Sequence, residues 1–143
     1  MKITQISVFL ENKKGRLYDA IRILGEKGID IKTLTIAENE DFGILRMIVE
    51  HPEGALEVLK AYDFVASITD IVAVEVDDHP GGLAKVLKVL EENKINIEYM
   101  YAFVEKCNDK AILVFRFDDL DKAIAILTKS GIRVVGKKDI VNL

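Results

Sequence analysis

The sequence predicts an α+β fold built of two tandem βαββαβ units, each an antiparallel sheet with its helices on one face. Three observations carry this. Apolar positions in the first half recur in the second at an offset of 66 to 68 residues. Short runs alternate apolar and polar residues like strands, and between them apolar residues recur at helical spacing. Glycines, prolines and polar clusters separate these runs where turns are needed.

An offset of 66 aligns Gly15 with Gly81, Leu17 with Leu83, Ile21 with Leu87, Leu24 with Leu90, Ile29 with Ile95 and Ile31 with Ile97. An offset of 68 then aligns Ile44 with Ile112, Leu45 with Leu113, Ala55 with Ala123 and Leu59 with Leu127. The two extra residues of the second copy fall near Cys107, where Lys106 and Asn108 suggest a turn.

In the first copy Ile3 to Leu10 reads as a strand. Leu17, Ala20, Ile21 and Leu24 form a helical stripe behind Gly15, and Gly28 ends that helix because glycine accepts a left-handed C-terminus at no steric cost. Ile31 to Ala37 and Gly43 to Glu50 follow as strands around the polar turn Glu38 to Asp41. Pro52 opens a second helix with Ala55, Leu56 and Leu59 as its stripe, and Phe64 to Ile68 closes the unit. The second copy repeats the order: strand Ile71 to Val76, helix Leu83 to Glu92, strands Ile97 to Val104 and Ala111 to Phe117, helix Leu120 to Lys129, strand Ile132 to Val135. Right-handed crossovers then give the ferredoxin-like strand order 4-1-3-2 in each copy. The domain boundary is expected at Thr69-Asp70, giving domains 1–69 and 70–143, with no Pro- or Gly-rich linker between them.

Half of the residues are hydrophobic and 31% are charged, so each copy has enough apolar side chains for a core. The net charge of −4 divides evenly between the halves and leaves no basic patch, which argues against nucleic acid as a partner. Phe115-Arg116-Phe117 resembles the stacking strand of RNA-recognition folds, but no Gly-rich companion motif accompanies it. Tyr99, Tyr101 and Phe103 share a strand face, suited to packing under a helix or to lining a pocket or interface. Cys107 is the only cysteine, so an intrachain disulfide is excluded. No signal-peptide-like or membrane-length apolar run is present, and a cytoplasmic protein with no membrane partner is expected. His51 and His79 lie in different loops without the spacing of a catalytic triad or metal site. The expectation is therefore a non-enzyme that uses no cofactor and no metal.

The most distinctive segments are the turns Glu11-Asn12-Lys13-Lys14-Gly15-Arg16-Leu17 and Asp77-Asp78-His79-Pro80-Gly81-Gly82-Leu83, both ending in Gly-x-Leu. Glycine lets a ligand approach the backbone, and amides at a helix start offer donors and partial positive charge to a carboxylate. Asn12 and Asp78 are suited to an ammonium or hydroxyl group. A purely structural role is also open: both residues as helix caps, Pro80 as a first-turn residue, and the glycines as turn formers.

These turns resemble the Asn-x-Pro-Gly-x-Leu and Asp-x-Pro-Gly-x-Leu loops of the ACT domain family. Gly28-Ile29-Asp30-Ile31 and Lys94-Ile95-Asn96-Ile97 are similar to the family's Gly-[Val/Ile]-Asn-Ile segment at the start of the second strand. The resemblance covers nearly the whole chain, which also resembles free-standing tandem ACT proteins. It implies a regulatory module whose loop residue and second-strand residue together hold an amino acid between ACT units. Those roles fall on Asn12 and Asp78, with Lys13, Lys14, Gly15, Arg16, Leu17, His79, Pro80, Gly81 and Leu83 around them, and on Asp30 and Asn96. The sequence departs from the pattern where Lys14 replaces the loop proline, Asp78 the loop asparagine and Asp30 the strand asparagine.

The leading expectation is a non-catalytic sensor that binds an amino acid, forms a homodimer and acts on a metabolic enzyme or regulator, with Ile31 to Ala37 and Ile97 to Val104 as edge strands available to pair within or between chains. If the first loop of one copy meets the second strand of the other, Asn12 joins Asn96 and Asp78 joins Asp30, and the first pair suits a zwitterion better, whereas a like-with-like arrangement between two chains joins Asn12 with Asp30. Two rivals are a ligand-free protein-protein interaction scaffold and a small mutase-like or acylphosphatase-like enzyme. The enzyme would need convergent Arg and Asn, or a general base, which the sequence does not assemble.

Overall fold

A computed structural model describes residues 1–103 and 109–142. Cys107, its expected turn, and Val104 at the end of an expected strand lie outside the described residues. The chain divides into a first compact unit, Thr4–Thr69, and a second, Met1–Ile3 with Asp70–Leu143.

The first unit contains β1 (Ile3–Glu11), α1 (Arg16–Glu26), β2 (Ile31–Glu38), β3 (Phe42–Val49), α2 (Pro52–Ala61) and the start of β4 (Val65–Asp77). Its strands lie in the order β2-β3-β1-β4. The ferredoxin-like order 4-1-3-2 is this arrangement read from the other edge. β3 runs antiparallel to both β1 and β2, from Glu11 opposite Phe42 at one end to Ile31 opposite Val49 at the other. Period-two alternation sends Ile6, Val8, Leu10, Leu45, Met47 and Val49 to one face. There they meet Ala20, Ile23 and Leu24 of α1 and Ala55 and Leu59 of α2, the stripes expected from helical spacing.

The second unit continues with α3 (Gly82–Glu92), β5 (Ile97–Ala102), β6 (Lys110–Phe117), α4 (Leu120–Lys129), β7 (Val134–Val135) and α5 (Lys137–Val141). β6 lies between β4 and β5, and β7 pairs with β4 on its other side. Val72, Val74, Val76, Phe115 and Phe117 form the core with Val86, Leu90, Ala123 and Leu127 of the helices. The architecture is thus the ferredoxin-like α+β fold written twice.

Several details differ from expectation for local reasons. The expected strands Phe64 to Ile68 and Ile71 to Val76 are one uninterrupted strand, β4, because neither Thr69 nor Asp70 breaks extended backbone. The last strand shrinks to Val134–Val135, and α5 was not expected, since five residues are too few to show helical periodicity. Phe115 and Phe117 stack with centroids 5.2 Å apart and are fully buried against the helices, so neither ring is free to stack on a base. Arg116 between them binds the Asp70 carbonyl at 2.7 Å. Met100 sits opposite Phe115 and takes the core position on β5, so Tyr99 and Tyr101 face away from the helices, and Phe103 follows the strand as a buried residue.

Each unit's first helix begins at a glycine held in the left-handed region, Gly15 at φ 87° and Gly81 at φ 90°. Gly82 follows under a different constraint: a Cβ there would lie 1.9 Å from the carbonyl oxygen of Asp77. Gly82→Ala should therefore cost about 3 kcal/mol or more, because backbone must move, whereas Gly81→Ala should cost only the left-handed penalty of about 1–2 kcal/mol. Urea unfolding checks the ranking, and the reverse order would contradict this account of the turn. Leu24 and Leu90, equivalent across the repeat and almost fully buried, should each cost about 2–5 kcal/mol when changed to Ala, measured in the same experiment.

Candidate functional site

In the first turn, the Asn12 backbone amide donates to the Asp41 carbonyl at 2.9 Å and its side-chain Nδ2 donates to the Glu40 carbonyl at 3.0 Å. These bonds tie the turn to the β2–β3 connection, where Asn39 Oδ1 accepts from the amides of Asp41 and Phe42. The second turn repeats the tie, with the Asp78 amide donating to the Asp109 carbonyl at 2.8 Å. The N-cap positions of α1 and α3 fall on Gly15 and Gly81, so neither Asn12 nor Asp78 occupies one. That removes the capping role from the structural alternatives, while the turn-forming role of the glycines stands.

The first amides of a helix have no acceptor inside it. Arg16 donates to the Lys13 carbonyl at 3.3 Å, which leaves Leu17 and Tyr18 as the next two donors at the mouth of the first turn. Leu83 and Ala84 hold the same places in α3, after Gly82 donates to the His79 carbonyl at 3.0 Å. Leu17 and Leu83 both lie exposed beside these donors.

The charges differ between the turns. Lys13 reaches Glu11 at 2.7 Å, and that hydrogen bond holds the Glu11 carboxyl below the usual carboxylate range. A hollow of about 540 Å³ opens between Glu11, Asn12, Lys13, Glu40, Asp41 and Phe42. Lys14 is exposed, and the Arg16 guanidinium carbon lies 4.3 Å from the centre of the Phe64 ring, a cation–π contact. In the second turn Lys110 binds Asp77, and this hydrogen bond lowers the Asp77 pKa and raises that of Lys110. His79 adds Nε2 at 3.6 Å from Asp77 Oδ2, and its Nδ1 lies 3.0 Å from the Pro80 carbonyl oxygen.

Asp30 and Asn96 occupy the opposite ends of their sheets. The Asp30 carbonyl accepts from Glu50 at 3.0 Å and its carboxylate meets Lys32 at 3.0 Å. Asn96 exchanges bonds with Asp118, its amide donating to Oδ1 at 3.1 Å and its carbonyl accepting at 3.2 Å. The β3 register separates the Asn12 end from the Asp30 end by six strand residues, on the order of 20 Å. One unit therefore gathers Asn12 to Arg16, or Asp78 to Gly81, but does not bring either turn to its own Asp30 or Asn96. Residues that the sequence reading passed over include Gly82, whose signal was the Gly-Gly doublet, and the Asp77–Lys110 pair, which 33 positions of sequence separate. Phe9 and Phe42, 4.8 Å apart and both exposed, were also missed.

No group of His, Cys, Asp and Glu among the described residues is arranged to hold a metal ion. No described helix is long and apolar enough to cross a membrane.

A family model described as an ACT domain pair matches residues 1–143. No curated protein matches the chain. Among solved structures, a protein from Bacteroides thetaiotaomicron is 41% identical with a TM-score of 0.93, over 100% of this chain and 98% of that one. The ligand-free regulatory subunit of aspartate kinase from Thermus thermophilus is similar at 16% identity and a TM-score of 0.64, over 88% of this chain and 91% of that one. The corresponding subunit from Thermus flavus gives 17% identity and 0.61, over 88% and 90%. At these last two identities the likeness is one of fold. The match over the full length, together with the 41% identical relative, establishes that the chain belongs to the family of ACT domain pairs.

Proposed function

We propose that the protein is a non-catalytic regulatory sensor that binds an amino acid at an interface between ACT units. The observation that carries this reading is the pair of matching turns, each with a left-handed glycine, no side-chain cap and donor amides beside an exposed leucine. Such a turn presents backbone donors and the positive end of a helix to a carboxylate. Asn12 has Oδ1 for an ammonium group while Nδ2 is engaged by Glu40. Asp30 and Asn96, at the far end of their own sheets, serve a turn of another unit, and the roughly 20 Å separation is the reason one unit does not suffice. ACT domains are regulatory modules, and the regulatory subunits of aspartate kinase share this fold. The protein acts on a metabolic enzyme or regulator, and it dimerises.

A ligand-free scaffold is the second reading. It is favoured by β2, which pairs only with β3 in its unit and leaves Leu34 and Ile36 more than two-fifths exposed. Melting curves with each of the twenty amino acids separate the two. A ligand at a hundredfold excess over its Kd adds about 2.7 kcal/mol, a rise on the order of 5–10 °C for a chain of this size. No rise with any amino acid at millimolar concentration would leave the scaffold.

Asn12→Ala is expected to weaken the binding about tenfold, and Asp78→Ala is expected to weaken it less, because paired carboxylates at Asp78 and Asp30 disfavour a carboxylate ligand. Titration calorimetry measures both, and a larger loss from Asp78→Ala would contradict this assignment.

A further inference from the structure

The two units differ at one place that the repeat makes directly comparable. Arg16 aligns with Gly82, one residue past the left-handed glycine, and Phe64 aligns with Ile132, each accepting the same backbone role after its helix. Phe64 donates to the Leu59 carbonyl at 2.9 Å and Ile132 to the Leu127 carbonyl at 3.0 Å. In the first unit the Arg16 side chain fills the space over Phe64, with its Nε buried and without a hydrogen-bond partner. In the second unit the aligned residue is Gly82, and a cleft of about 170 Å³ lies between α3, the end of β4 and the α4–β7 turn.

The lining of that cleft is specific to the second unit. Val76, Val86 and Ile132 supply apolar surface, and Glu75, Asp77, Lys85, Lys110 and Arg133 supply charges of both signs. Arg133 meets Glu75 at 2.7 Å and Asp139 at 3.2 Å, and Lys110 meets Asp77. Lys85 also lines the cleft and lies exposed, and its charge, after that of Lys110, helps to hold the Asp77 carboxyl below the usual carboxylate range. The positions equivalent to Glu75, Lys110, Lys85 and Arg133 in the first unit are Phe9, Phe42, Asp19 and Val65, which lack every one of those cations.

We propose that this cleft binds a small α-amino acid of glycine or alanine size, at a site separate from Asn12 and Asp78. The choice of an amino acid rests on the function proposed above; the size and the placement rest on the cleft. Taking about 30 Å³ for each water-sized group, the volume holds on the order of six such groups, well below the roughly 300 Å³ at which drug-sized pockets begin. Lys85 receives the carboxylate, the remaining acceptor lone pairs of the Asp77 and Glu75 carboxylates receive the ammonium, and Val86 with Ile132 packs the Cα side. No covalent step is involved. The first unit has no counterpart, so one such ligand binds per chain.

The test is a titration of the full-length, ¹⁵N-labelled protein with glycine, alanine and phenylalanine, followed by NMR. Glycine or alanine should shift the amides of Gly82, Lys85 and Ile132, and phenylalanine should leave them in place. Lys85→Gln should weaken the binding about tenfold or more, Lys85→Arg should retain it, and Arg16→Ala should create no second site. Unchanged affinity in Lys85→Gln, or equal shifts with phenylalanine, would overturn the proposal. Shifts confined to Asn12 to Leu17 and to Asn96 would overturn the cleft and leave the amino-acid reading standing. No shift anywhere with either small amino acid at millimolar concentration would overturn the cleft, and a flat melting screen with all twenty would overturn the broader reading with it.

Discussion

Each unit depends on how its first strand hands the chain to its first helix. The backbone must reverse within a few residues and bring the helix down onto the sheet, and it does so through a residue at φ near +90°, where an L side chain is strained. Gly15 and Gly81 meet that requirement. Everything nearby follows from it: the helix start stands over the end of β1 or β4, its first amides face outward with no acceptor, and the turn is pinned to the β2–β3 or β5–β6 connection by the amide of Asn12 or Asp78. The cost of ordering these donors is met during folding, the condition under which a turn is preorganised.

Duplication copied this frame, and substitution then made the two copies unlike. The cores remain near-equivalent, with Leu24 and Leu90, Leu59 and Leu127 in matching places. Divergence concentrates around the turns. Where the first unit has Phe9 and Phe42 in ring contact, the second has Glu75 and Lys110 in ionic contacts. Where the first has Arg16 lying on Phe64, the second has bare backbone at Gly82, held there by the close approach of the Asp77 carbonyl. A change at position 82 is therefore limited by backbone sterics, while position 16 tolerates a long side chain. Identical folds thus carry unlike charge and volume at the same address.

Much of the fold was legible because period-two and helical spacing are properties of neighbouring residues. Leu120 to Lys129 is a helix with the limits read from its stripe. The misses have the same origin. Nothing local distinguishes two abutting strands from the single strand β4, and α5 is too short to carry a period. At the candidate site the turns and their glycines could be read from sequence, but their partners could not. Asn12 is bonded to Glu40, 28 positions away, and Asp77 to Lys110, 33 positions away, so these contacts exist only after the sheet register is fixed. Tyr99 and Tyr101 share a face as alternation requires, but which face meets the helices is decided by Met100 opposite Phe115.

The central claim is that the turns themselves, through their helix-start amides, are what receive the ligand. Hydrogen exchange at single-residue resolution tests it most directly, with and without an amino acid that raises the melting temperature. The account predicts slowed exchange at Leu17 and Tyr18 or at Leu83 and Ala84, beyond the uniform slowing that global stabilisation gives to the core. Stabilisation by the amino acid with no added protection at any of those four amides would contradict it.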